Sequence, residues 1–85
     1  MEEKSLRLED ALNISKGDRI KVRDSWEIRS LSKVISNPLV PNKEYTVKKI
    51  KDAYIGSNKV IMFELEGYTA YSHYWFSSYR KKLSS

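Results

Sequence analysis

Apolar and polar residues alternate most regularly in the second half of the chain. Lys59 to Leu65 reads Lys-Val-Ile-Met-Phe-Glu-Leu, which sets Ile61, Phe63 and Leu65 on one face of a strand. Glu66-Gly67 then breaks the run, and a second run dense in aromatic residues follows. Glycine accepts the positive φ that a tight reversal needs, so the two runs are predicted to form a hairpin at Gly67. Tyr68 to Ser72 makes the next strand, His73 to Trp75 a tight turn, and Phe76 to Lys81 a short last strand. Lys59 to Tyr79 holds seven of the ten aromatic residues and so supplies much of the core.

The first half is less regular. Met1 to Asn13 has the composition of a short helix, with Ser5 as a possible cap. Leu6, Leu8, Ala11 and Leu12 are its apolar residues, and Leu8, Ala11 and Leu12 fall on one helical face. So short a helix is marginal alone. It either docks across an open end of the fold, the expected outcome, or serves as a partner-binding arm. Ser15 to Asp18 is a turn, and Arg19 to Arg23 a strand with Ile20 and Val22 inward and three cations outward. Asp24 to Asn42 is long for a connection and reads as an extended loop ending in the stiff Asn37-Pro38-Leu39-Val40-Pro41-Asn42. Trp26 within it is either an exposed anchor or, as expected for so small a core, the lid of that core. Lys43 to Lys51 is a strand whose Ile50 is out of phase with Tyr45 and Val47, and a bulge near Lys48-Lys49 restores it. Asp52 to Asn58 is a turn containing Gly56. Five short strands with one long first loop predict a mainly β fold, a small barrel. Residues 1–15 form its N-terminal arm and residues 16–85 the barrel.

Composition narrows the chemistry. A chain of 85 residues makes one domain, and burying roughly 60–65% of its unfolded surface gives it a modest core. There is no cysteine, so neither disulfides nor thiolate metal ligation supplements that core. No apolar stretch approaches the ~20 residues of a membrane span. The charged start Met-Glu-Glu-Lys lacks an apolar signal region, and the cytoplasm is the expected location. The net charge of +5 favours polyanionic partners by long-range attraction.

Lys16-Gly17-Asp18-Arg19-Ile20-Lys21-Val22, then Asn37-Pro38-Leu39-Val40-Pro41-Asn42-Lys43-Glu44-Tyr45-Thr46-Val47, resembles the first strand and the end of the first loop of small SH3-like proteins frequent in bacteriophage and prophage genomes. Glu66-Gly67 and Tyr71-Ser72-His73-Tyr74-Trp75-Phe76 resemble their later turns. The resemblance spans about Lys16 to Tyr79. It implies a five-stranded SH3-like barrel with an RT-type loop and a 3₁₀ turn before the last strand. Asn42 stands where those proteins have glycine, and Ser72 where they have proline. The arm and the longer Trp26–Ser36 segment lie outside the pattern.

Catalysis is not expected. His73 is the single histidine and lies in a segment suited to packing, and the glycines at 17, 56 and 67 form no phosphate-loop signature. No cofactor, metal or small-molecule substrate is expected, nor a membrane. The resemblance implies that aromatics are presented between the long loop and the 3₁₀ turn, which selects Trp26, Tyr74 and Trp75 as a patch for a host protein, with Arg23 and Arg29 at its rim. A host-protein partner implies the host cytoplasm and an accessory role, inhibition being one form of it. The alternative is sequence-tolerant DNA or RNA binding, with bases stacked on the aromatic rings and Lys48, Lys49, Lys51, Arg80, Lys81 and Lys82 on phosphates.

Overall fold

A computed structural model describes residues 3–82. In chain order it has α1 (Leu8–Ala11), β1 (Arg19–Val22), α2 (Trp26–Ser32), β2 (Glu44–Ile55), β3 (Asn58–Leu65), β4 (Ala70–Ser72), a 3₁₀ turn (His73–Trp75) and β5 (Phe76–Arg80). The fold is mainly β. Its five strands form one antiparallel sheet in the order β4-β3-β2-β1-β5. Among the described residues β4 and β5 are the sheet's edges and share no ladder, although only the 3₁₀ turn separates them in sequence.

Register explains the core. Ile20 pairs with Tyr45 on one side and Tyr79 on the other, and Phe63 pairs with Ile50 and Tyr71. Opposed residues of antiparallel strands share a face, so these pairs stack one apolar layer. Phe63 and Phe76 meet edge to face, ring centres 6.0 Å apart, and join the two halves of the sheet. Both rings are fully buried, so truncating either to alanine costs about 3–5 kcal/mol. The bulge expected in β2 is present: the register with β3 shifts between Val47 and Lys49, which turns Ile50 back toward the core. Asn42 has φ +69°, the left-handed conformation its place in the loop requires.

Several expectations are corrected. Helical structure in the arm is one turn, Leu8–Ala11, preceded by Arg7 rather than Ser5 at the cap. Ala11 is buried as expected, but Leu12 is exposed, and Leu6 and Ile14 enter the core beside Ala11. The arm is docked, and its Leu6 amide donates to the Phe76 carbonyl at 2.8 Å. β1 ends at Val22, one residue short of the expected limit, because Arg23 leaves the β1 ladders to meet the 3₁₀ turn. The Asp24–Asn42 connection is not a plain loop. The hydroxyl of Ser25 accepts from the Ile28 amide at 3.3 Å and starts α2, which buries Ile28. β2 runs on to Ile55, and Gly56 at φ +63° sits first in a two-residue reversal to Asn58. β4 spans only Ala70–Ser72, because the Tyr68 amide bonds back to the Leu65 carbonyl in the Gly67 turn. β5 stops at Arg80, since Lys82 turns its amide to Asp18.

Candidate functional site

Two charged residues flank β1, the buried Asp18 before it and the half-buried Arg23 after it, and each organises the surface at its end of the strand. At the C-terminal end the Arg23 amide donates to the Trp75 carbonyl at 2.9 Å, and its Nε donates to the Tyr74 carbonyl. A second guanidinium nitrogen donates to the Glu3 carbonyl at 3.5 Å, and the third lies 3.8 Å from the Glu27 carboxylate. Arg23 therefore gathers the arm, the 3₁₀ turn and α2 around one cation. Its side chain is only 14% exposed, so it supports the patch from beneath rather than forming the rim.

Asp24 continues the scaffold. Its carboxylate accepts from Arg29 Nε at 2.8 Å and from Asn42 Nδ2 at 3.2 Å, while its amide donates to the Glu3 carboxylate at 2.7 Å. Arg29 beside it holds the Asp24 carboxyl below the usual carboxylate range. Arg29 itself remains well exposed.

Of the three expected anchors, two face solvent. Trp26, the first residue of α2, is 66% exposed, so it is not a lid. Ile28 and Leu39 from the same connection fill that role, both fully buried. Tyr74 is 42% exposed and lies against the His73 ring, 4.3 Å between centres. Trp75 packs on the core, edge-on to Tyr71 at 4.9 Å. Leu31, Val34 and Val40 add exposed apolar surface along α2 and the segment after it. Arg23, bonded to the Tyr74 carbonyl and near Glu27, bridges the two elements that carry Trp26 and Tyr74.

His73 is buried. Its Nδ1 accepts from the Ile61 amide at 3.2 Å and is therefore the unprotonated nitrogen, and burial holds the imidazole below its usual range. Among the described residues no group of histidine, cysteine, aspartate or glutamate side chains could hold a metal ion. No described helix is long and apolar enough to cross a membrane.

The six expected phosphate contacts fall into two separate groups. Lys48, Lys49 and Lys51 are exposed on β2, with Lys48 3.8 Å from the Glu64 carboxylate. Arg80, Lys81 and Lys82 lie at the end of β5, beyond the other end of β1. Tyr45, Tyr68, Tyr71 and Tyr79 pack in or against the core, so the rings are not interleaved with these cations. Here stands the other flanking charge, Asp18, 2% exposed. It accepts from the Ser15 amide at 2.8 Å, the Lys82 amide at 2.7 Å and the Lys81 ammonium at 2.7 Å. Burial by itself raises its carboxyl, and these donors outweigh burial, so the group lies below the ordinary aspartate value. Arg80 reaches across β1 to grip Glu44 through two bonds of 2.8 and 2.6 Å. Asp18 read only as a turn residue in the sequence, and Arg19 as one of three outward cations on the first strand. Their partners are set by pairings that join the start of β1 to the end of β5, which no local pattern signals.

Comparison with protein-family models, with curated proteins and with solved structures finds no match.

Proposed function

We propose that this chain is a non-catalytic binding module of the small SH3-like barrel type, a phage- or prophage-type accessory protein that engages a host protein through Trp26 and Tyr74. The motif resemblance and the strand order support the fold assignment. The observation that carries the function is the 66% exposure of Trp26 on a helix whose start is fixed by the Ser25 cap. A large ring held in place before binding loses little freedom on association, which is what an interface anchor needs. Arg29 and Glu27 give the ring a polar rim, and Leu31 and Val34 extend the apolar surface.

Capture from host lysate tests this reading. Trp26→Ala and Tyr74→Ala should each weaken recovery of a single partner, the tryptophan by about 30-fold in affinity, as for an interface hot spot of about 2 kcal/mol. Undiminished recovery with both variants would remove the patch from consideration.

A second reading, sequence-tolerant nucleic-acid binding, is favoured by one observation. A groove at the far end of β1 is lined by Gly17, Arg19, Thr46, Arg80, Lys81 and Lys82, four of them cations and none a carboxylate.

A further inference from the structure

We infer that this groove is a binding site for the phosphate backbone of a duplex nucleic acid, with Arg19, Arg80 and Lys82 as the contacting cations. The inference rests on the second reading above and narrows it to one site and one form of ligand. It begins with register. Arg19 pairs directly with Arg80 on β5 and with Thr46 on β2, so two arginines stand side by side on the solvent face of the sheet. Like charges placed opposite one another on neighbouring strands are destabilising, and a bound anion turns that cost into attraction.

The local carboxylates cancel only part of the charge. Glu44 is committed to Arg80, and Asp18 is buried beneath Lys81. Arg19 and the Lys82 ammonium make no ion pair among the described residues. Arg80, held at Nε and one terminal nitrogen by Glu44, keeps its other terminal nitrogen for a ligand. The groove is open and holds about 600 Å³, room for a backbone segment rather than a lone ion.

Gly17 shapes the floor. A methyl group there would come within 2.9 Å of Lys82 Cδ, so the bare backbone is what lets the lysine stem lie across the turn and carry its ammonium to the groove. The lining contains no aromatic ring. Single-strand binders draw much of their affinity from stacking bases on aromatic side chains, whereas duplex binding can be supplied by phosphate contacts alone. The lining therefore selects a duplex, read without regard to sequence.

Fluorescence anisotropy of the full chain with a labelled 16-base-pair DNA duplex tests the site. Three phosphate contacts predict micromolar binding at 50 mM salt that weakens about 40-fold by 200 mM. Arg19→Ala and Lys82→Ala should each lower the salt slope by about one, and the pair together should weaken binding at least about tenfold at 50 mM. Lys49→Ala with Lys51→Ala should leave both quantities unchanged. Circular dichroism confirms folding of each variant, since all four side chains are exposed. Duplex binding that depends on Lys49 and Lys51 but not on Arg19 and Lys82 overturns the groove while keeping the broader nucleic-acid reading. No duplex binding at 50 mM overturns both. Tighter binding of the single strand, or binding to phosphatidylserine vesicles that the duplex cannot displace, overturns the assignment to a duplex.

Discussion

The two charges flanking β1, the buried Asp18 and the half-buried Arg23, are satisfied in opposite ways. Asp18 is surrounded by three donors at 2.7–2.8 Å, one of them a cation, so its charge is met by charge. Arg23 sits among carbonyl oxygens, and its nearest carboxylate, Glu27, is 3.8 Å away, so its charge is met mainly by backbone dipoles. The difference is functional as well as energetic. The Asp18 cluster ties the residues after β5 to the turn before β1 and leaves neighbouring cations facing water. The Arg23 cluster ties the arm, α2 and the 3₁₀ turn together and leaves aromatic rings facing water. One end of the strand is a basic surface on an acidic pin, and the other an aromatic surface on a basic pin.

The largest test of this contrast is removal of the acidic pin. Asp18→Ala strands the Ser15 and Lys82 amides at a buried site and should cost about 2–4 kcal/mol in urea unfolding. Arg23→Met leaves two carbonyls and the solvent-exposed Glu27 carboxylate without their cation and should cost about 1–2 kcal/mol, while loosening the elements that carry Trp26 and Tyr74. Equal losses at the two ends would break the distinction drawn here.

Acid should separate the ends further. Because the folded Asp18 carboxyl lies below its unfolded value of about 3.9, its contribution is whole above that pH and is lost as pH falls through the folded value. A guanidinium does not titrate in this range, so Arg23→Met should leave the slope of stability below pH 4 unchanged, whereas Asp18→Asn should reduce it. Between pH 7.5 and 5 a smaller effect belongs to His73. Its imidazole is depressed by burial, so the unfolded chain takes up a proton near pH 6.5 before the folded chain does. Stability should be full above that pH and fall by up to about 1.4 kcal/mol per unit below it, and His73→Gln should flatten the decline. The smallest expected effect is that of Trp26→Ala, within about 0.5 kcal/mol in stability, since the ring is largely in solvent. A cost above about 2 kcal/mol would return Trp26 to the role of a lid.

The contrast also shows where sequence stops informing structure. The bulge was legible because Ile50 broke the alternation of Tyr45 and Val47, and only an extra residue could mend it. A tight turn at His73–Trp75 followed from three residues crowded between two short strands, and the motif resemblance implied its 3₁₀ form. Of the three aromatics singled out, Trp26 and Tyr74 face solvent, but Trp75 had no local mark separating it from its exposed neighbour, and contact with Tyr71 decided its fate. α2 was missed because seven residues give too few turns for a period to show, and Leu31 on it is exposed. In the arm, Ile14 and Leu6 displaced Leu12 from the core because the helix ends after one turn. Arg80, Lys81 and Lys82 stood out in the sequence as a run of cations, but the groove they form with Arg19 did not. Arg19 and Arg80 become neighbours only through strand pairing, and Glu44 meets Arg80 across 36 residues.

The pairing of β1 with β5 also orders events in time. β2 and β3 join through a two-residue reversal, and β3 and β4 through the short Gly67 turn, so these ladders can form from nearby chain. The β1–β5 ladder and the Asp18–Lys82 bond, 64 residues apart, must wait for a large closure whose entropy is lost before any contact rewards it. They are therefore expected to be absent from the folding transition state. Contacts formed after that barrier govern the rate of escape from the native state rather than the rate of reaching it. A polyanion lying across Arg19 and Arg80 would act as a brake on unfolding and leave refolding almost untouched.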